Sequence, residues 1–192
     1  MLFDSHCHLQ DVRLAPILND ALARAHAAGV ERLLCCGAEE ADWPLVLALA
    51  SERPGLVVPS LGLHPWHLAS RSSGWLDTLG RLLSGAQCGV GEIGLDHAID
   101  SRDDADQDAV FLAQLRLAGD LKRPVSIHCR KAWGRLLELL RSEGGVPQGG
   151  VIHSYSGAPD SISELESMGL YFSFGGAITR SGNSRGHRSL AA

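Results

Sequence analysis

Short, compact apolar runs alternate along the chain with longer segments in which apolar residues recur every three to four positions. The runs 31–36 (ERLLCC), 56–61 (LVVPSL), 88–93 (CGVGEI), 124–128 (PVSIH), 150–153 (GVIH) and 170–174 (LYFSF) have the length and composition of buried strands. Residues 1–5 add a short strand at the start. Between these runs, residues 16–28 carry Ile17, Leu18, Ala21, Leu22 and Ala25 at helical spacing, ended by Gly29. Segments 41–52, 75–83, 104–121, 132–141 and 159–168 read as further helices. The longest, 104–121, has Val110, Phe111, Leu115 and Leu117 on its apolar side. Pro59 interrupts the third strand, and its missing N–H is expected to end the pairing there.

Strands alternating with helices imply a parallel sheet joined by right-handed crossovers. Seven such units without a Gly-x-Gly-x-x-Gly fingerprint favour a TIM-type (β/α)8 barrel over a doubly wound sheet. No linker or low-complexity stretch divides residues 1–192, so one domain is expected. A complete barrel of this kind takes ~250 residues. Here the pattern supplies about seven βα units, closes on residues 188–192 at the opening of a helix, and offers no eighth strand. The expectation is a C-terminally truncated barrel whose first and seventh strands expose open edges that invite self-association.

Composition narrows the class. A net charge of -5 argues against bulk electrostatic binding of nucleic acid, although bound divalent cations can supply positive charge locally. The five cysteines (Cys7, Cys35, Cys36, Cys88 and Cys129) form no C-x-x-C pair, and four lie in or beside apolar runs. They read as structural thiols in a reducing compartment. With no leader-like N-terminus and no apolar run approaching ~20 residues, a soluble cytoplasmic protein is expected.

The chemistry gathers at predicted strand ends. His6 and His8 share one face of the first strand, because side chains two apart project together. His64 follows the third strand within Gly62-Leu63-His64-Pro65-Trp66, and Glu92 and Asp96 close the fourth within Gly91-Glu92-Ile93-Gly94-Leu95-Asp96. The fifth ends Ile127-His128-Cys129-Arg130, and the sixth Ile152-His153-Ser154-Tyr155-Ser156-Gly157. A barrel brings these ends to one mouth. Several imidazoles and a carboxylate converging there point to a metal site, since unpartnered polar groups are costly to bury.

Taken together, these motifs resemble the TatD family of metal-dependent deoxyribonucleases, within the wider amidohydrolase-type metal barrels. The likeness runs from Asp4-Ser5-His6-Cys7-His8-Leu9 to Phe174-Gly175-Gly176. It implies two divalent metal ions (Mg²⁺, Mn²⁺ or Zn²⁺), His6 and His8 holding one, His128 and His153 the other, and Glu92 bridging. It also implies hydrolysis of DNA phosphodiester bonds, of the 3′→5′ exonuclease type and probing single-stranded ends, by a metal-activated water. His64 and Arg130 match positions around the substrate phosphate. His64 either donates to the phosphate or leaving group, or orients the loop at Pro65. Arg130 either contacts phosphate or forms a salt bridge to a neighbouring carboxylate. Asp96 reads either as a partner of a ligand histidine or as a structural cap. Trp66 reads as a packed loop aromatic or a base-stacking surface, and His26, His67, His97 and His187 as solvated or structural.

The family also places an Asp at the end of an eighth strand, which these residues do not supply. The expected consequences are a site short of one anionic ligand, a preference for Zn²⁺ or Mn²⁺, and impaired activity. Two other readings stand beside the nuclease: a metal-dependent amidohydrolase acting on C–N or ester bonds, and a non-catalytic metal-binding remnant.

Overall fold

The computed structural model describes residues 2–192. Seven parallel strands lie side by side in sequence order, β1 (Leu2–Cys7), β2 (Val30–Cys36), β3 (Val57–Leu61), β4 (Gly89–Asp96), β5 (Val125–Arg130), β6 (Gly150–Ile152) and β7 (Leu170–Phe172). Helices α1 (Leu18–Ala27), α2 (Asp42–Glu52), α3 (Trp75–Gly85), α4 (Asp104–Asp120), α5 (Trp133–Ser142) and α6 (Ile162–Ser167) alternate with them. Helix α7 (Ser184–Ala191) follows β7, and its cap Asn183 accepts from the Gly186 amide. The helix therefore begins earlier than the sequence pattern suggested. The sheet curls as an incomplete TIM-type α/β barrel. Its ladder runs from β1 to β7, and no pairing joins those two strands among the described residues.

Every residue of β4 is buried, which puts this strand at the heart of the sheet. Trp43, Leu61, Leu79, Ile93, Leu136 and Ile152 are among the fully buried side chains of the core between sheet and helices. Pro59 does not end the pairing of β3: Cys35↔Pro59 and Cys36↔Ser60 stay in register, and Ser60 and Leu61 go on to pair with β4. One proline removes one donor, and neighbouring rungs carry the ladder past it.

Helix α4 departs from its simple apolar reading. Gln107 and Gln114, seven residues apart, lie on the buried side beside Val110, Phe111 and Leu115. The five cysteines are unbonded; Cys35, Cys36, Cys88 and Cys129 are buried and Cys7 half-buried, in keeping with structural thiols. No helix among the described residues is long and apolar enough to cross a membrane.

At the opposite end from the strand C-termini, the open curl leaves an apolar hollow of about 480 Å³, with Phe3, Leu34, Val58, Val125, Val151 and Tyr171 in its wall. Phe3 and Tyr171 are exposed on strands β1 and β7.

Candidate metal centre

The strand C-termini converge as the alternation required. Glu92, on β4, is 3% exposed and receives five imidazoles. They divide between its two oxygens. His6 Nε2 and His8 Nε2, from β1 and the residue just beyond it, each stand 3.2 Å from Oε2. His128 Nδ1, His153 Nε2 and His64 Nε2 lie 3.0, 2.6 and 3.3 Å from Oε1.

The first group has the dimensions of a coordination face. His6 Nε2 and His8 Nε2 are themselves 3.2 Å apart, so with Oε2 they form a nearly equilateral triangle. A tetrahedral site with bonds of about 2.0–2.1 Å has edges of about 3.3–3.4 Å. The second group is tighter, with His128 Nδ1 and His153 Nε2 3.2 Å apart. A looser grouping, of donor atoms within 4.8 Å, joins His6 with His153 and His64 with His128, each through Glu92. The shorter contacts divide by oxygen instead.

Hydrogen bonds assign the tautomers. His8 Nδ1 lies 2.8 Å from the Cys36 carbonyl, which also accepts from the Gln10 amide at 2.9 Å. A carbonyl can only accept, so Nδ1 carries the proton and Nε2 of a neutral His8 turns a lone pair toward Glu92. Two acceptors 3.2 Å apart repel unless a cation or a proton lies between them. His128 is arranged likewise, its Nε2 3.3 Å from Asp96 Oδ2 and its Nδ1 facing Glu92. The residues fit a metal.

His64 has the opposite polarity. The Trp66 backbone N–H donates to His64 Nδ1 at 3.1 Å, which leaves the proton on Nε2, pointing into the site. His64 is therefore built as a hydrogen-bond donor rather than as a lone-pair ligand. Burial holds its pKa below the ordinary value, against the opposing pull of Glu92, so it stays neutral. Burial likewise lowers His153, whereas the Glu92 hydrogen bond raises His8. For Glu92, burial pushes upward, but the imidazoles of His128, His153, His6 and His64 gathered around it outweigh burial and hold the carboxyl well below its usual range.

The supports of this centre were mostly silent in the sequence. Gln114 Oε1 accepts from the Leu63 amide at 2.7 Å while its Nε2 donates to the Leu63 carbonyl at 3.1 Å, fixing the backbone next to His64. Gln107 clasps Asp96 in the same way, at 2.9 and 3.1 Å. Their only sequence signal is the seven-residue spacing of two amides on a buried face. Asp96 fills both roles considered for it: Oδ1 caps the Ala98 amide at 2.8 Å, and Oδ2 faces His128 and accepts from Trp66 Nε1 at 2.8 Å.

A cleft of about 600 Å³ opens over the centre. His67 lines its mouth, paired with Glu39 at 3.5 Å, and His187 bonds the Ile178 carbonyl at 2.7 Å. Arg130 ends β5 exposed, outside the residues lining the cleft and with no ion pair among the described residues. The salt bridge considered for it is absent from that set.

A family model described as TatD related DNase matches residues 3–192. The chain belongs to the TatD family. A 3′-5′ ssDNA/RNA exonuclease TatD from Edwardsiella piscicida is 34% identical over 92% of the chain and 68% of that relative. An uncharacterized metal-dependent hydrolase, YabD, from Bacillus subtilis is 29% identical over 93% of the chain and 70% of its own length. The crystal structure of YjjV, a TatD homologue from Escherichia coli, superposes with a TM-score of 0.87 at 31% identity, covering 93% of this chain and 70% of that one. Other curated TatD relatives are covered over 65% of their length. The barrel class and the family resemblance drawn from the motifs are thus borne out, with divalent metal dependence as their general implication.

Proposed function

We propose that this TatD-family chain hydrolyses phosphodiester bonds at single-stranded nucleic acid ends, in the 3′→5′ direction, using two divalent ions. The observation that carries this reading is the partition of five imidazoles between the two oxygens of one buried carboxylate. In it, His6, His8 and Glu92 hold one ion, and His128, His153 and Glu92 the other. When bound, such ions polarise a phosphoryl oxygen and lower the pKa of water beside it. The imidazole-rich donor set favours Zn²⁺ over Mg²⁺, which prefers oxygen.

The chain's own groups have separable roles. Glu92 stays ionised, and its two carboxylate oxygens reach the two donor sets. His64 directs its Nε2–H at the floor of the cleft, where it can donate to a phosphate or leaving-group oxygen without a change of charge. Arg130, exposed and unpaired among the described residues, offers a planar cation to a phosphate further along the strand. The exposed edges of β1 and β7, with Phe3 and Tyr171, provide a surface for self-association.

The test is cleavage of a 5′-labelled single-stranded DNA oligonucleotide under a Zn²⁺, Mn²⁺ and Mg²⁺ titration, beside amide and carboxylester substrates. A one-nucleotide ladder shrinking from the 3′ end, with metal and turnover both lost in Glu92→Gln, is the expected result. Turnover of the amide or ester alone would move the chain to the amidohydrolases. Stoichiometric metal without turnover of any substrate would leave it a binding protein.

A further inference from the structure

We propose that Trp66 is the platform on which the nucleobase beside the scissile phosphate stacks; this rests on the phosphodiesterase reading above. Trp66 is 60% exposed, yet it is not a free surface side chain. Its indole N–H is tied to Asp96, itself fully buried, and its backbone N–H to His64. The ring packs edge-on against His64 (4.8 Å, 76°) and against His128 (6.3 Å, 68°). A large π-surface is thus held in one orientation at the mouth of the cleft, adjacent to the donor His64 and the ligand candidate His128. Holding it in advance spares a ligand the entropy of ordering it.

The rest of the rim indicates which part of a nucleotide belongs there. Val12, 81% exposed, and Leu45, 49% exposed, line the same cleft, so apolar side chains stand above the polar floor of histidines and Glu92. Among the described residues lining it, Arg13 is the one Lys or Arg, and it is paired with Asp11. Asp11, Glu39 and Asp42 make the remaining charge acidic. Such a rim cannot draw in a polyanion through its phosphates. It can hold the uncharged faces of unstacked bases, which pack on aromatic rings with little regard to sequence. Bases in a duplex keep those faces against each other, so the arrangement selects an unpaired end.

The competing role for Trp66 is mechanical, anchoring Asp96 and the His64 loop through its two N–H groups. Oligonucleotides in which the 3′-terminal or the penultimate base is replaced by an abasic tetrahydrofuran separate the two. With wild-type protein, removing the stacked base is expected to raise KM by about tenfold, the scale of one base–aromatic stack. Trp66→Ala should give the same KM for intact and abasic strands, whereas Trp66→Phe, which keeps a ring but loses the N–H to Asp96, should keep most of the discrimination. A mechanical role would instead lower turnover of intact and abasic strands by one common factor, with Trp66→Phe as impaired as Trp66→Ala; that result overturns the proposal. So does wild-type indifference to both abasic positions. Absence of phosphodiester turnover by the wild type with every ion removes the parent reading, and the stacking site with it.

Discussion

The side chain of Gln114 closes a two-hydrogen-bond ring on the backbone of Leu63, 51 residues earlier, and so sets the residue before His64 in place from a helix on the outside of the sheet. Gln114→Leu keeps the volume but leaves a buried amide and carbonyl unmatched. The expected loss is about 1–3 kcal/mol of stability, read as a shift in urea midpoint at unchanged slope. Turnover should fall more than metal content, because the backbone released carries the donor and not a ligand. Equal losses in both would mean that the helix supports the ligands too.

The contact between Asp96 and His128 predicts a split of another kind. Replacing a hydrogen-bonded partner of a ligand imidazole weakens metal binding by about 10–100-fold. Asp96→Asn, which keeps an acceptor for Trp66 and His128 at the Oδ2 position but removes the negative charge behind the His128 imidazole, should show this weakening in a chelator competition assay while the fold remains intact by circular dichroism. Unchanged affinity would make Asp96 a cap and nothing more.

Two glycines make opposite predictions. Gly94 has φ of +146°, and a Cβ there would collide with the His128 backbone carbonyl on β5. Gly94→Ala should cost about 3 kcal/mol, from strain and overpacking together. Gly134, in α5, is exposed and has open space where a Cβ would go. Gly134→Ala should stabilise by about 0.5–1 kcal/mol. Thermal melts of the two variants side by side check both signs.

The near absence of cations from the cleft predicts weak salt dependence. Each phosphate neutralised on a single strand contributes a slope of about −0.7 in log K against log salt. With Arg130 as the one unpaired cation assigned to phosphate, titration of oligonucleotide binding at fixed metal concentration should give a slope of about −0.7. A slope several times steeper would place the affinity on basic groups elsewhere, and Arg130→Ala would then leave it unaltered.

How much of this was legible beforehand follows from the physics of each signal. Strands β2 to β7 announce themselves as apolar runs because a parallel sheet covered by helices buries both faces, as β4 does along its whole length. His6, His8, Glu92, His128 and His153 were legible as candidates because the fold gathers strand ends that carry unlike partners for a core. Gln107 and Gln114 were not, since a polar residue on a buried helical face looks like an error in the pattern until its backbone partner is known. Nor was the tautomer of His64, which depends on a turn returning the Trp66 amide to the ring. Val12 and Leu45 were invisible as a rim: an apolar residue declares its burial preference in sequence, not its exposure. Pro59 misled because a rule about one missing donor was read as a rule about a whole strand.

One feature of the mouth reaches beyond catalysis. His6 and His153, from opposite flanks of the curl, lie stacked at 3.8 Å with their planes 7° apart, although among the described residues the backbone ladder does not join β1 to β7. Ions held by His6 and His8 on one flank and by His128 and His153 on the other would both be anchored on Glu92 and so tie the two flanks together. Stripping them with a chelator should therefore lower the melting temperature and let the rim splay before the helices on the outer layer unravel.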